Sequence, residues 1–290
     1  MDSFINAVVS GMISGSLYAA MALGLTIIYG VSRVFNFGHG IVAVMGAYLV
    51  WTALNAAGST AWFIFGALIA LAAMYGFGLL VYRFTINPLL KKPNWEISTV
   101  LFMLGGGILL ENLLLQAYGP RVKSYPEFLK GTLQFGPIQV SYQEITLFVV
   151  VILAIIGLNL FFKYTYTGQA MRSVAQSIPG AKVVGIHIDG IFGLTFGLAF
   201  LVTGFSGVLL STKYFLTPHI GWEWMIKGFV IVAFGGLGST NGAIFAALIL
   251  GIVEAIATLY LGAIWVWPIW FAMFLVVLLI RPQGILGGRV

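Results

Sequence analysis

Long uncharged stretches dominate the pattern of apolar and polar positions in this sequence. Asp, Glu, Lys and Arg are absent from six segments, at residues 3–32, 34–82, 145–162, 190–212, 228–253 and 255–280. A helix needs about 20 predominantly apolar residues to cross a bilayer, so these stretches supply crossings and the longest supplies two. The apolar residues are continuous rather than alternating, which excludes a transmembrane β-barrel.

These stretches predict eight crossings and one shorter segment. The predicted segments are residues 5–30, 40–54, 61–82, 98–118, 145–162, 191–210, 225–236, 242–260 and 264–280. The seventh segment is short and ends in glycines, so it either crosses the membrane fully or is broken or re-entrant. A broken or re-entrant segment is tolerated only where protein or a water-filled cavity satisfies the hydrogen bonds of its backbone. The sequence therefore predicts an all-α fold, a polytopic transmembrane helical bundle with about 8–9 membrane segments, in which residues 1–290 form a single domain.

Composition narrows the class of protein. The chain is 60% hydrophobic and 8% charged, against about 45–50% and 25% in soluble domains, which excludes a soluble enzyme. Its net charge is +6, but the basic residues are scattered between the crossings rather than clustered as in nucleic-acid binding. There is no cysteine, no metal-ligand spacing and no phosphate loop, because the glycine run at 235–242 lacks a Gly-Lys-Ser/Thr ending. We expect no catalytic residue, metal or cofactor in this chain.

The basic residues predict the orientation. With nine crossings, one side of the membrane collects Arg33, Arg83, Lys91, Lys92, Lys163, Arg172, Lys182, Arg281 and Arg289. The other side collects Arg121, Lys123, Lys130 and Lys213. This bias places the first set and the C-terminus in the cytoplasm and the N-terminus outside. Loop 163–190 is then cytoplasmic and loop 119–144 periplasmic, whereas a re-entrant seventh segment would move one terminus to the other side.

The inner loop, residues 163–190, has a helical pattern. Thr167 is predicted to cap a helix that ends near Gln176, and Pro179 suits the first turn of a second helix. Gly185 can close that second helix in a left-handed conformation. A small apolar face is predicted because four residues recur at helical spacing, although Pro179 interrupts the phase; they are Val174, Ile178, Ala181 and Val184. The loop is either a docking site for a cytoplasmic partner or an amphipathic connector lying on the membrane surface.

Two carboxylates fall inside predicted crossings. A charge costs about 2.5–3.5 kcal/mol at the centre of a crossing, so Glu111 and Glu254 must face protein or water, and either could pair with Lys227. Their role is a structural polar lock, part of a translocation path or a proton relay. Asn36 and His39, in the break between the first two crossings, belong to the same class of path or lock residues. The glycines that end the seventh segment form a hinge or a re-entrant turn, and they are Gly235, Gly236 and Gly238.

Small and aromatic residues add two further expectations. Two helices carry a stripe of small residues: Ala243, Ala247, Gly251 and Ala255 in the eighth segment, and Gly11, Gly15 and Ala19 in the first. Small side chains let helices approach closely, and we expect both stripes to pack within the chain rather than against another subunit. Five tryptophans near predicted span ends are expected to anchor the chain at the membrane interface, namely Trp222, Trp224, Trp265, Trp267 and Trp270.

Four motifs, in order along the chain, carry a family resemblance. They are GLTIIYGVSRVFNFGHG at 24–40, AQSIPGAKVVGI at 175–186, FGGLGSTNGA at 234–243 followed by Glu254, and RPQG at 281–284. Together they resemble the inner-membrane permeases of branched-chain amino acid ABC importers, and the length and order are most similar to the H-type subunit. The resemblance covers essentially the whole chain.

The resemblance implies a function and a set of partners. It implies a permease subunit of the bacterial inner membrane that works with a second related permease, two cytoplasmic ATPases and a periplasmic substrate-binding protein. ATP and Mg would bind the ATPases, whose contact on this chain falls at Gln176, Pro179, Gly180 and Gly185. Branched-chain or other apolar amino acids are the expected solutes, although similar permeases import urea, short amides and other carboxylates.

Two other interpretations of the residues remain open. A standalone channel or ion-coupled secondary transporter would use Glu111, Glu254 and Lys227, and it would transport without ATP. An assembly subunit would line no pathway, and complexes lacking it would still transport.

Overall fold

A computed structural model describes residues 2–57, 63–136 and 138–287. The helices are α1 (Asp2–Ser32), α2 (His39–Ala57), α3 (Phe63–Val81), α4 (Asn87–Leu90), α5 (Trp95–Tyr118), α6 (Tyr142–Tyr164), α7 (Tyr166–Gln176), α8 (Ile178–Val183), α9 (Ile188–Lys213), α10 (Ile220–Gly235), α11 (Thr240–Tyr260) and α12 (Val266–Ile280). Two strands, β1 (Thr132–Phe135) and β2 (Ile138–Ser141), form an antiparallel hairpin. The predicted start of the third crossing at residue 61, and Arg289 at the inner side, lie outside the described residues.

The predicted helical bundle is confirmed. Within the described residues, eight helical stretches are long and apolar enough to cross a membrane. They correspond to each predicted crossing except the seventh. The protein is therefore a multi-pass membrane protein whose described part is helical apart from one short hairpin.

The seventh segment is a crossing in broken form. Helix α10 has 16 residues, or about 24 Å at 1.5 Å per residue, less than the roughly 30 Å hydrocarbon thickness. Its first turn lies at membrane depth, because His219 and Trp222 contact Glu111, seven residues before the end of α5. After α10, Gly238 lies against Gly30 near the end of α1. The chain therefore passes from one end of the bundle to the other, and the re-entrant alternative is wrong.

Helix α1 forms the centre of the bundle. From Gly11 onward most of its residues are buried, and it packs against α6, α9, α10 and α11. Its sequence is rich in Gly, Ser and Ala, and small side chains let neighbouring helix backbones come close. The buried core is therefore built around the first crossing rather than around the more apolar outer helices.

The two predicted stripes of small residues pack against each other. A Cβ placed on Gly15 would lie 2.7 Å from the Ala247 carbonyl oxygen, and one placed on Gly251 would lie 2.5 Å from the Gly15 Cα. Backbones this close leave no room for side chains. The preference for internal packing over subunit contact is confirmed for this pair of helices.

The third crossing is longer than predicted. A π-helical turn at Tyr82–Ile86 continues α3 into α4, so the helical span runs from Phe63 to Leu90. Pro88 lies in the first turn of α4. Proline has no backbone N–H and its ring clashes with the carbonyl four residues earlier, and a widened turn accommodates both effects.

The bundle has two chemically different ends. Gly30, Lys163, Arg172 and Gly238 line one cavity at the end where α1 finishes, and Arg33 directly follows α1. We term this the basic end, and the end carrying the hairpin the opposite end. The predicted inner loop lies at the basic end, on α7 and α8.

The loop at the opposite end is partly built into the fold. The buried Tyr125 side chain donates to the Ala47 carbonyl, and burial raises the pKa of its hydroxyl, which stays protonated. Lys123 pairs through its backbone with Leu216, just before α10. Residues 119–144 are thus not a simple solvated connector, because they contact α2 and the segment that leads into α10.

Candidate functional site

The segment between α6 and α9 forms the two short helices that the sequence predicts, with a different first cap. Thr165, not Thr167, caps α7 by accepting a hydrogen bond from the Gly168 N–H at 3.0 Å. Thr165 has an extended backbone, as an N-cap requires, whereas Thr167 already lies inside the helix. Helix α7 ends at Gln176 as predicted, and Ser177 caps α8.

The predicted closure of α8 is confirmed. Gly185 has a φ of 83°, in the left-handed region that favours glycine. Its N–H donates to the Lys182 carbonyl, and the Ile186 N–H donates to the Ala181 carbonyl, which ends the helix as a glycine C-cap does. Pro179 lies in the first turn of α8, as expected.

The apolar residues of α7 and α8 do not share one face. Val174 and Ala181 are buried against the bundle, whereas Ile178 and Val184 are exposed together with Val183. The single-face prediction is wrong because Ser177 is extended and changes the helical phase between α7 and α8. The exposed part of this segment includes all four residues expected to contact an ATPase, Gln176, Pro179, Gly180 and Gly185.

An ion pair lies inside the bundle between α10 and α11. The Lys227 Nζ lies 3.1 Å from Glu254 Oε1. The Tyr18 hydroxyl accepts from Lys227 and donates to Glu254, and it lies 3.1 Å from the hydroxyl of Tyr214. Lys227 is 5% exposed, so its charge is matched by a carboxylate rather than by water. The predicted pairing of Lys227 with a glutamate is seen at Glu254 and not at Glu111.

Aromatic rings complete the surroundings of Lys227. Its Nζ lies 4.7 Å from the ring centre of Tyr18, 5.6 Å from that of Trp267 and 5.4 Å from that of Trp270. These distances allow cation–π attraction. Trp270 and Trp224 are fully or almost fully buried, so the prediction that they anchor the chain at the interface is wrong.

Glu111 occupies a second polar site on the opposite-end side of the bundle. Its two carboxylate oxygens accept hydrogen bonds from the His219 ring and the Trp222 indole. The Glu111 side chain is 12% exposed while the His219 side chain is 66% exposed. This arrangement connects a buried carboxylate to the surface of the chain through one histidine. A relay of further ionisable groups does not join it to the Lys227–Glu254 pair in the described residues.

Asn36 and His39 join helices at the break between α1 and α2. His39 is fully buried, with its Nε2 2.8 Å from the Met21 carbonyl and its Nδ1 3.2 Å from the Thr203 hydroxyl. Because a carbonyl only accepts, Nε2 carries the proton. Asn36 accepts from the Gly38 N–H. His39 thus joins α2 to α1 and α9, which is the geometry of a lock. Asn36 holds the turn through Oδ1, while its buried Nδ2 has no hydrogen-bond partner in the described residues.

The glycines after α10 form a tight turn at the basic end. Gly236 and Gly238 have φ values of 111° and 83°. Gly235 packs against Gly242, and the C-terminal segment adds hydrogen bonds from the Ile285 and Leu286 N–H groups to the backbone of α10. The sequence left a hinge and a re-entrant turn open for these glycines, and their position after α10 at the basic end agrees with the hinge.

Several partners in these sites could not be found from the sequence. Tyr18, Tyr214, His219 and Trp222 contact carboxylates through helices distant in the chain. The sequence shows only that a charge inside a crossing is costly, so that a partner is needed, and it does not identify the partner. In the described residues no group of three or more His, Cys, Asp or Glu side chains is placed to hold a metal ion.

Comparison with known proteins gives a consistent result. The family described as "Branched-chain amino acid transport system / permease component" matches residues 7–281. The chain is 30% identical to the high-affinity branched-chain amino acid transport system permease protein LivH of Escherichia coli K12, over 98% of this chain and 96% of that protein. BraD of Pseudomonas aeruginosa, named as a permease protein of the same kind of system, gives the same identity and coverage.

A more distant relative extends the comparison. The probable branched-chain amino acid transport permease LivH of Methanocaldococcus jannaschii is 28% identical over 95% of this chain and 90% of that protein. No solved structure matches the chain significantly. The family match covers most of the chain, including α7, α8 and both intramembrane carboxylates, and the bundle has the crossings that a permease needs. The chain belongs to the permease family of branched-chain amino acid transport systems, and its role is transport rather than catalysis.

Proposed function

We propose that the chain is the permease subunit of an ATP-driven importer that moves branched-chain or other apolar amino acids across the bacterial inner membrane. The observation that carries this proposal is the α7–α8 segment. It is an ordered, exposed pair of helices between two crossings of a bundle that belongs to a permease family. The names of LivH and BraD support the class of solute.

The basic end is proposed to face the cytoplasm. Arg33, Lys163 and Arg172 lie there with the α7–α8 segment, and basic loop residues are retained on the cytoplasmic side of membrane proteins. With nine crossings, the N-terminus then faces the periplasm and the described C-terminal segment faces the cytoplasm. The hairpin loop at the opposite end would meet the periplasmic binding protein that delivers the solute.

The remaining proposed partners are supported by the family match, which describes one component of a transport system. Two cytoplasmic ATPases would bind ATP and Mg and close against the α7–α8 segment, and a second related permease would complete the passage. Gln176, Pro179, Gly180 and Gly185 are the proposed contact residues. Exposed Ile178, Val183 and Val184 give the same surface an apolar patch.

Packing of α7 supports transmission of movement into the membrane. A Cβ on Gly168 would lie 2.3 Å from the Phe161 carbonyl oxygen, so α7 is held directly against the end of α6. Met171 and Val174 are buried in a cluster that includes Ile27 and Ile28 of α1. A push on the exposed side of the segment would therefore reach the central helix rather than be absorbed by a loose loop.

The polar residues inside the membrane take different proposed roles. Glu111 is proposed to line the path, because His219 connects it to the surface on which a second permease would pack. Glu254 and His39 are proposed as locks, because their polar atoms bond between helices. Asn36 is proposed as a lock through its Oδ1 atom, which accepts from the Gly38 N–H within the turn. The turn at 235–238 would act as the hinge between α10 and α11.

The proposal is tested by reconstitution. The tagged chain is purified in mild detergent, its stoichiometric companions are identified by mass spectrometry, and the complex is placed in vesicles with leucine and its binding protein. We expect two ATPases, a second permease and uptake that stops when the ATPases are inactivated. A solitary oligomer that transports leucine without ATP would instead establish the channel or secondary-transporter alternative. Uptake by complexes lacking this chain would reduce it to an assembly subunit.

A further inference from the structure

A groove runs between α6 and α1 from the basic end into the bundle. At the basic end lies a cavity of about 470 Å³, which we term the polar cavity because polar side chains interrupt a mostly apolar wall. These side chains include Asn159, Lys163, Arg172, Gln176 and Asn241. Farther along α6 lies an apolar cavity of about 240 Å³, lined by residues such as Leu23, Ile155 and Leu158. A small pocket of about 10 Å³ lies between the two cavities, and it shares Asn159 with the first and Leu158 with the second. One face of α6 is thus polar at the basic end and apolar beyond it.

The polar cavity carries positive charge without a matching carboxylate. In the part of the chain that the structure describes, the ion pairs use Lys213, Lys227 and His219, and neither Lys163 nor Arg172 takes part in one. Arg172 is exposed on α7, and Lys163 lies over the ring of Tyr164 at 5.0 Å. Arginine presents a fork of donors suited to phosphate oxygens, and lysine adds a point charge.

The position of the groove identifies what it can hold. Helix α6 is peripheral, with 11% of its span buried, so lipid reaches the groove from the side. Lys163 is the second-last residue of α6, at the level where lipid headgroups meet the acyl chains. A soluble anion would use the polar cavity alone and leave the apolar continuation unfilled. A phospholipid uses both parts.

We propose that this groove is a binding site for an anionic phospholipid. The headgroup phosphate lies between Lys163 and Arg172, and an acyl chain lies along Leu158 and Ile155 toward Leu23. Because the site is walled by α1, α6 and α7, the bound lipid fills the space between the α7–α8 segment and the central helix. The bound lipid lies beside Gln176, one residue of the proposed ATPase contact, and leaves Pro179, Gly180 and Gly185 outside the cavity.

The test is lipid retention by the full-length protein in mild detergent, measured by native mass spectrometry with phosphatidylglycerol or phosphatidylcholine added. We expect phosphatidylglycerol to be retained about thirtyfold more than phosphatidylcholine, as two basic residues near a lipid surface should achieve. The double substitution Lys163→Gln and Arg172→Gln should remove this preference. The matched control Lys182→Gln removes a charge from α8 outside the cavity and should keep it.

Two further variants and a soluble competitor distinguish lipid binding from misfolding and from binding of a free anion. Lys163→Arg with Arg172→Lys preserves both charges and should retain phosphatidylglycerol, which shows that loss in the glutamine variant reflects charge rather than misfolding. Ala154→Trp fills the apolar cavity and should lower retention with both cations intact. Equal retention of the two lipids by the natural chain, or an unchanged preference in the glutamine variant, would overturn the proposal. Displacement of the lipid by millimolar glycerol 3-phosphate would identify a site for a soluble anion instead.

Discussion

Lys227 of α10 and Glu254 of α11 form an ion pair within the membrane-spanning bundle, with Nζ and Oε1 3.1 Å apart. The hydroxyl of Tyr18 contacts both groups, so the pair also involves the central helix α1. A second carboxylate, Glu223, lies 3.4 Å from the same Nζ, but its side chain is 45% exposed. One lysine therefore has a partly buried partner, Glu254, whose side chain is 18% exposed, and a more solvated one, Glu223, and the two can be compared directly.

Glu254→Gln is expected to destabilise the protein much more than Glu223→Gln. Removing one partner of a buried pair costs about 3–5 kcal/mol where the other charge is left uncompensated. Glu223, 3.4 Å from the same Nζ, should keep the loss below that range. An exposed pair one turn apart on a helix contributes only about 0.3–0.5 kcal/mol. The midpoint of thermal unfolding in detergent measures both variants.

A third variant identifies the cause of this difference. Lys227→Met in the Glu254→Gln background removes the stranded charge, and it should recover most of the lost stability. Equal unfolding midpoints for the two glutamine variants would mean that the buried pair does not hold α10 and α11 together.

Gly15→Val is expected to disrupt the contact between α1 and α11. A Cβ at this position would lie 2.7 Å from the Ala247 carbonyl oxygen, which is backbone and cannot rotate away. Overpacking a dense interior costs about 1–3 kcal/mol. The fraction of protein that remains monodisperse after heating, followed by size-exclusion chromatography, reports the loss.

Gly76→Val is the matched control for this change. Gly76 lies within α3, and no described atom outside its own helix backbone lies within 4 Å of a Cβ placed there. The same side chain in open space should change stability by less than about 0.5 kcal/mol. If both valine variants keep the same fraction of monodisperse protein after heating, close backbone packing is not what stabilises the α1–α11 contact.

The α1–α11 contact also shows what could be predicted from sequence. Each stripe of small residues is a pattern within one helix, so the sequence of that helix alone predicts that it packs closely against a neighbour. The lengths of the crossings and the Gly185 cap are local features of the same kind. Long-range pairing is not local. Gly15 and Gly251 meet only because the intervening crossings fold between them.

The polar sites illustrate the same limit. Glu111 needs a partner because it is buried, yet His219 is 108 residues away and stands outside any helical pattern. Tryptophan near a span end ordinarily indicates the membrane interface. Trp222 departs from this rule because α10 begins below the membrane surface and carries its first turn to the depth of Glu111.

Gly185→Val is expected to uncouple ATP hydrolysis from uptake in the reconstituted importer. The φ of 83° is strained for a β-branched residue, so the end of α8 would rearrange where the ATPase is proposed to make contact. Hydrolysis would continue while leucine uptake per ATP falls. Parallel assays of phosphate release and labelled leucine in the same vesicles measure this ratio.

Gly185→Asn separates backbone conformation from loss of the glycine itself. Asparagine adopts the left-handed region far more readily than valine, so this variant should keep most of the coupling. Normal coupling in the valine variant would remove Gly185 from the mechanism, whereas equal losses in both variants would assign the effect to the side chain at the contact.

Glu111→Gln is expected to lower binding-protein-dependent uptake by about tenfold or more without lowering the unfolding midpoint appreciably. Glutamine keeps an oxygen that can accept from Trp222, so the packing of α5 against α10 is preserved. The lost quantity is the negative charge beside His219, while the number of side-chain polar atoms at the site stays the same. Glu96→Gln removes an exposed carboxylate from the first turn of the same helix and should leave uptake unchanged. Wild-type uptake with Glu111→Gln would show that this carboxylate only holds α5 and α10 together, and the path would then have to be sought on another face of the bundle.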